Sequence, residues 1–363
     1  MKTLYVLPLC FTILGLLGCV PETNSIMDPD FNNDSREIEF VYLSSTEPPT
    51  EIYKYSINSD FFTQLTNTNG NVFDYDVNNQ TGDIAYSVKN DQGGLDIWFL
   101  PFPYTETKKL ISCGSNSCFL PQFSPQNSLL TYQKGTYQFE STSSYANTKI
   151  RFIDLNSFTD RTIFGSEIDN GINPTWSPDG KYLAYYQTDP VGIRILDLLG
   201  REVIFIHGFE IQNTFNWNSH SNIFYYLINE ISDDRPITSV QEISIPELDL
   251  NRIEIKLNEQ ELITGFRASP KENKIVFGVR HSDLLSNQKI VIFDVDSNKI
   301  IGQVGEPTVS LGNYSWQSNG ELILFQQFGY QSPNQKPEIA IWNIKNNTIK
   351  TYISDAYSPK FLP

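Results

Sequence analysis

The chain has 363 residues, with 26 Lys and Arg against 42 Asp and Glu, a net charge of −16. Such a charge disfavours nucleic acid and bare anionic membrane as partners, because both would be repelled. Aromatic residues make up 13%, dominated by Tyr and Phe, which favours strands over helices.

Met1-Lys2-Thr3 is followed by a mostly apolar run from Leu4 to Leu17 and then Gly18-Cys19. One positive charge, a short apolar stretch and a small residue before a cysteine are the parts of a secretory signal. The run is too short for a comfortable transmembrane helix, which needs about 20 residues. The ending Leu16-Leu17-Gly18-Cys19 resembles the bacterial lipobox. That resemblance implies cleavage before Cys19 and acyl chains on its sulfur and new amino group. Residues 1–18 are therefore expected to be a lipoprotein signal, and 19–37 a lipidated cysteine with a flexible tether. Loss of Lys2 leaves the mature chain at −17. The expected location is the bacterial cell envelope, on the exported side, with membrane contact through the lipid alone.

Cys10 leaves with the signal, so Cys113 and Cys118 remain as a pair around Gly114-Ser115-Asn116-Ser117. In an oxidising compartment a disulfide is their default state. Gly, Ser and Asn between them allow a tight turn. No histidine or third cysteine stands near enough in sequence to suggest a metal or redox centre.

From Ile38 the chain repeats itself. The clearest copy is Asn173-Pro174-Thr175-Trp176-Ser177-Pro178-Asp179-Gly180-Lys181, then Tyr182 to Tyr186, Gly192 to Leu198 and Glu202 to Ile206: four β-rich runs separated by turns. Looser copies centre on Tyr75, Phe123, Trp217, Ala268, Trp316 and Phe361, and the seven positions are spaced by 48, 53, 41, 51, 48 and 45 residues. A period of 40–50 with four strands per unit is the pattern of a β-propeller. Pro174-Thr175-Trp176-Ser177-Pro178-Asp179-Gly180-Lys181 resembles the repeat of TolB-like, or WD-repeat-like, propellers. The resemblance covers nearly all of 38–363 and is specific only at 173–186. The α/β domain that precedes the propeller in the TolB family has no counterpart in this reading. The expected fold is all-β: a seven-bladed propeller over 38–363, with six or eight blades following if one copy is misread. The last strand, at Phe361, should complete the blade that opens with Ile38, because each end carries a truncated repeat.

No Gly-x-Ser-x-Gly elbow and no Ser-x-Asp-x-Gly-x-x-Trp box is present, so the signatures of a prolyl-peptidase catalytic domain and of a sialidase are missing. His207, His220 and His281 lie in different copies and could hold a metal only by converging on the axis. Asp294-Val295-Asp296-Ser297-Asn298 lacks the glycine of a calcium loop and reads as a turn. No cofactor or metal is expected.

Long loops are expected at 133–148, 227–238, 279–288 and 327–337, all on one face of the ring. Tyr137, Phe139, Tyr145, Phe328 and Tyr330 are candidate partner-binding residues there, since large aromatics anchor interfaces. An equal alternative is that they fold their own loops back onto the blades. The favoured reading is a non-catalytic monomer that binds an unidentified protein or peptide through this face. A glycan partner, or a polysaccharide-degrading activity using carboxylates at the axis, is the alternative.

Overall fold

A computed structural model describes residues 37–363 except 45–49, 127, 137–147, 162–167, 233–234, 285–286, 307–308 and 330–335. The expected signal, Cys19 and the segment up to residue 36 lie outside the described residues, as do Tyr137, Phe139, Tyr145 and Tyr330.

No helix is present among the described residues. Antiparallel pairing groups the strands into seven four-stranded blades, with one extra short strand, Ile168–Asp169, on the third. The innermost strands, in ring order, are Ala356–Phe361, Val72–Val77, Ser117–Phe123, Gly171–Trp176, Ile211–Trp217, Glu261–Ala268 and Val309–Trp316. Blades 2 and 3 merge into one sheet through a single parallel pair, Leu95 with Ser117. Blade 1 takes its inner strand from the C-terminus: Phe361 pairs with Phe40 and Ala356 with Ser44. The strands Glu39–Ser44 and Ala356–Phe361 thus close the ring, as the truncated repeats require, and leave no sprung edge there.

Hydrophobic clusters lie between successive blades. At the seam of blades 5 and 6, Tyr225, Leu227 and Ile253 pack on Ile263, Phe266 and Phe277. At blades 1 and 2, Val41, Leu43 and Ile52 meet Val72, Tyr75 and Tyr86. No blade buries both faces alone, so each depends on its neighbours.

Inner strands run toward one face, where short turns lead to the second strand. In blade 4 the Gly180 amide donates to Ser177 O and Asp179 accepts from the Ser177 hydroxyl. Gly180 and its counterpart Gly320 have φ of 70° and 77°, a conformation that favours glycine. The turns joining third and fourth strands share this short-turn face. Asp294–Asn298 is one of them, with Asp294 accepting from the Ser297 amide. Connections between second and third strands, and between blades, emerge on the opposite, loop-rich face.

One expectation needs correcting. Residues 227–238 are largely a regular hairpin rather than a loop: Ile223–Ser232 pairs with Arg235–Ser244 through to Ser232 and Arg235. β-Branched Ile228, Ile231, Ile237 and Thr238 extend the ladder beyond the blade. The Cys113–Cys118 disulfide is formed, as expected; Cys113 lies in the connection from blade 2 and Cys118 in the inner strand Ser117–Phe123. The bond therefore fastens the connection from blade 2 directly onto the first strand of blade 3.

Candidate functional site

The seven inner strands share a local irregularity. Each shifts register just before the repeat's aromatic position, between residues such as Phe119 and Gln122, Ile172 and Thr175, or Gly312 and Ser315. In four of them the first extra residue has positive φ: Leu120, Asn173, Asn313 and Ser358, at 48–52°. A bulge leaves backbone groups unpaired and re-aims side chains. Repeated around the ring, it lines the axis with amides and hydroxyls, including Asn173, Thr175, Asn213, Thr264 and Asn313.

An axial channel results, in two lobes of about 610 and 570 Å³. The lobes share Tyr75, Gln122, Arg267, Tyr314 and Lys360. The first reaches Asn213 and Asn287 toward the loop-rich face, and the second reaches Asn79 and Pro270 toward the short turns.

Four carboxyl or basic groups stand in the channel wall. Asp76 and Asp74 flank Tyr75 on the inner strand of blade 2. Asp76 accepts from Lys360 Nζ at 2.7 Å and from the Phe123 amide at 3.0 Å, so it links blades 1, 2 and 3. Asp74 accepts from the Leu120 amide at 2.7 Å and from the Ser87 hydroxyl. Desolvation by burial pushes the Asp74 carboxyl up to about 7; nearby Asp76 adds to this, while the Leu120 amide and Lys360 oppose it. The fourth group, Arg267 of blade 6, is exposed to the channel. Its Nη1 donates to the neighbouring Phe266 O at 3.1 Å. Among the described residues no carboxylate pairs with it.

Of the sequence-derived partner-binding candidates, the one within the described residues, Phe328, is the penultimate residue of the second strand of blade 7, Leu322–Gly329, toward the loop-rich face and is 36% exposed. Two stronger apolar residues on that face were not foreseen. Phe209, between blades 4 and 5, is 92% exposed, and Ile231, at the tip of the long hairpin, is 81% exposed. Phe209 follows a glycine and breaks the strand pattern, the one local sign of its protrusion. The histidines do not converge: His207 ends an outer strand, His281 a second strand, and His220 sits in a turn on the opposite face. Among the described residues no group of three or more His, Cys, Asp or Glu is placed to hold a metal ion.

No protein-family model and no curated protein matches the chain. Solved structures do. TolB from Acinetobacter baumannii matches at 14% identity and TM-score 0.52, over 90% of this chain and 82% of that one. An oligogalacturonate lyase in complex with manganese matches at 11% identity and TM-score 0.57, over 87% and 84%. A prolyl endopeptidase matches at 12% identity and TM-score 0.53, over 79% of this chain but half of its own length. At these identities the likeness defines the fold, a TolB-like β-propeller, and not an activity.

Proposed function

We propose that this chain is an exported, lipid-anchored, non-catalytic propeller that binds a protein or peptide through its loop-rich face. An acidic group of that partner reaches Arg267 in the axial channel. The observation that carries this reading is the guanidinium itself: Asp76 neutralises Lys360, but no carboxylate among the described residues neutralises Arg267. In a chain of net charge −16, a cation without a counter-ion at the axis is a selective feature. Asn and Thr side chains around it supply further donors, and Phe209, Ile231 and Phe328 supply apolar anchors on the loop-rich face. Lipidation at Cys19, read from Leu16-Leu17-Gly18-Cys19, holds the domain at a membrane; each buried methylene adds about 0.8 kcal/mol. An export signal and the Cys113–Cys118 disulfide fit an oxidising compartment.

The second reading, carbohydrate binding or polysaccharide degradation, is favoured by one observation: a carboxyl with a raised pKa, Asp74, stands at the axis. Against it, Asp74 and Asp76 hang from one strand and are both engaged in holding blades together. An acid–base pair needs carboxylates facing each other across a substrate.

The test is photo-crosslinking in cells from positions 209, 231 and 328, with position 179 on the short-turn face as control, beside a glycan array. One protein should be captured from the first three positions and not from the fourth, and Arg267→Glu should abolish capture. Glycan binding that disappears with Asp74→Asn, without any protein crosslink, would establish the second reading instead.

A further inference from the structure

The short-turn face carries a separate set of exposed apolar side chains. Phe61 and Phe62 open the outer strand of blade 1, and Phe102 lies in the turn joining third and fourth strands of blade 2. Leu199 occupies the same turn in blade 4, while Leu250 and Ile349 stand at the start of the outer strands of blades 5 and 7. They are 48–72% exposed. Singly, such residues need no explanation. Their placement does: in five blades the apolar residue occurs where the third strand hands over to the fourth, so topology sets all six on one end of the ring and around its rim.

The described chain also begins at this end. Glu37 accepts from the Ser59 hydroxyl at 3.0 Å, and Ile38 O accepts from the Ile57 amide at 3.0 Å, in the turn that leads to Phe61. Seventeen residues separate Glu37 from Cys19. We infer that this face rests on a lipid bilayer, the rim residues entering the headgroup region beside the lipid on Cys19. A plane is the one partner that meets points spread around the whole rim at once, and Phe and Leu are suited to the interfacial region. Asp60 and Asp249, which neighbour Phe61 and Leu250, select a zwitterionic rather than an anionic surface. The loop-rich face, with Phe209 and the channel mouth, then points away from the membrane and stays open to a partner.

The inference rests on the lipid-anchor reading, and the experiment separates the two. Mass spectrometry of the mature N-terminus reports whether Cys19 carries lipid. If it carries none, the anchor reading fails alone, and the mature chain is coupled through Cys19 to maleimide-lipid in the same vesicles. Hydroxyl-radical footprinting then compares the mature chain free in solution with the chain held on vesicles of phosphatidylcholine and phosphatidylethanolamine. Oxidation of Phe61, Phe62 and Leu199 should fall at least threefold on the vesicles, while Phe209 and Ile231 should be unchanged. Equal oxidation of Phe61 and Leu199 in both states overturns the inference, as does protection of Phe209 in their place. So does protection that grows with protein concentration in the absence of vesicles, which would assign the face to a second copy of the chain.

Discussion

Lys360 Nζ lies 2.7 Å from Asp76 Oδ1 and 2.9 Å from Tyr75 O, so the last strand of the chain is clasped to the blade after the one it completes. Tyr75 returns the contact, donating its hydroxyl to Val41 O at 3.0 Å and to Ser358 O. The ring is thus closed twice, by the main-chain ladder to Glu39–Ser44 and by side chains reaching blade 2. Deleting Ser358–Pro363 should lower the melting temperature by more than about 10 °C, because it opens blade 1 and exposes Phe40 and Val41. Lys360→Met should cost about 1 kcal/mol, the scale of a partly exposed ion pair. Thermal unfolding followed by circular dichroism compares the two; an unmoved transition in the deletion would show that closure contributes nothing.

Asp74 makes stability depend on pH in an unusual direction. Its folded pKa of about 7 stands above the ordinary 3.8, so the folded state holds a proton that the unfolded state has released. The contribution is fully present below about pH 4 and is lost as pH rises toward and through 7. Stability should therefore decline from pH 5 to pH 8, against the common trend for carboxylates in ion pairs. Asp74→Asn should flatten this slope, with its relative stability improving as pH rises. Denaturant midpoints across that range supply the measurement, and a slope identical in both proteins would remove Asp74 from the account.

The blade framework could be read from the chain because a propeller writes its period into the sequence. Asn173–Tyr186 supplied the pattern, and the spacing to Trp217 and Trp316 carried it around the ring. The axial chemistry could not be read in the same way. Asp74 with Asp76, Arg267 and Lys360 come from three distant places in the sequence, on the inner strands of blades 2, 6 and 1, and only ring closure brings them to one channel. The bulges were equally hidden: Asn173 and Asn313 tolerate positive φ, but Leu120 gives no such sign. Position 268, an alanine where other copies have an aromatic, still occupies its place through pairing with Ile275.

Cys113 and Cys118 are both buried, and the bond between them closes a six-residue loop. Such a loop adds about 2 kcal/mol in the chain-entropy picture. The double substitution to Ser should lower stability by about that amount and leave the fold intact, since the flanking strands are held by their own ladders. Thiol labelling of the folded, oxidised protein should find neither cysteine. Two reactive thiols under those conditions would refute the bond.

The repeat's tryptophans act as latches between blades, and one of them is unfastened. Trp217 Nε1 donates to Thr175 O at 3.3 Å, and Trp316 Nε1 donates to Arg267 O at 3.1 Å. In each case the acceptor precedes the equivalent aromatic position of the previous blade. The corresponding carbonyl for Trp176 is Gln122 O, which instead accepts from the Thr131 hydroxyl at 3.1 Å. Trp176 Nε1 is buried and has no hydrogen-bond partner among the described residues. A buried donor left unpaired costs stability, whereas a paired one contributes about 1 kcal/mol. Trp→Phe substitution removes similar packing at all three sites but a hydrogen bond at only two. Trp316→Phe and Trp217→Phe should therefore each be more destabilising than Trp176→Phe, by about 1–2 kcal/mol in urea unfolding. Equal losses at the three sites would mean that the ring's volume, and not its N–H group, sets the contribution of these residues.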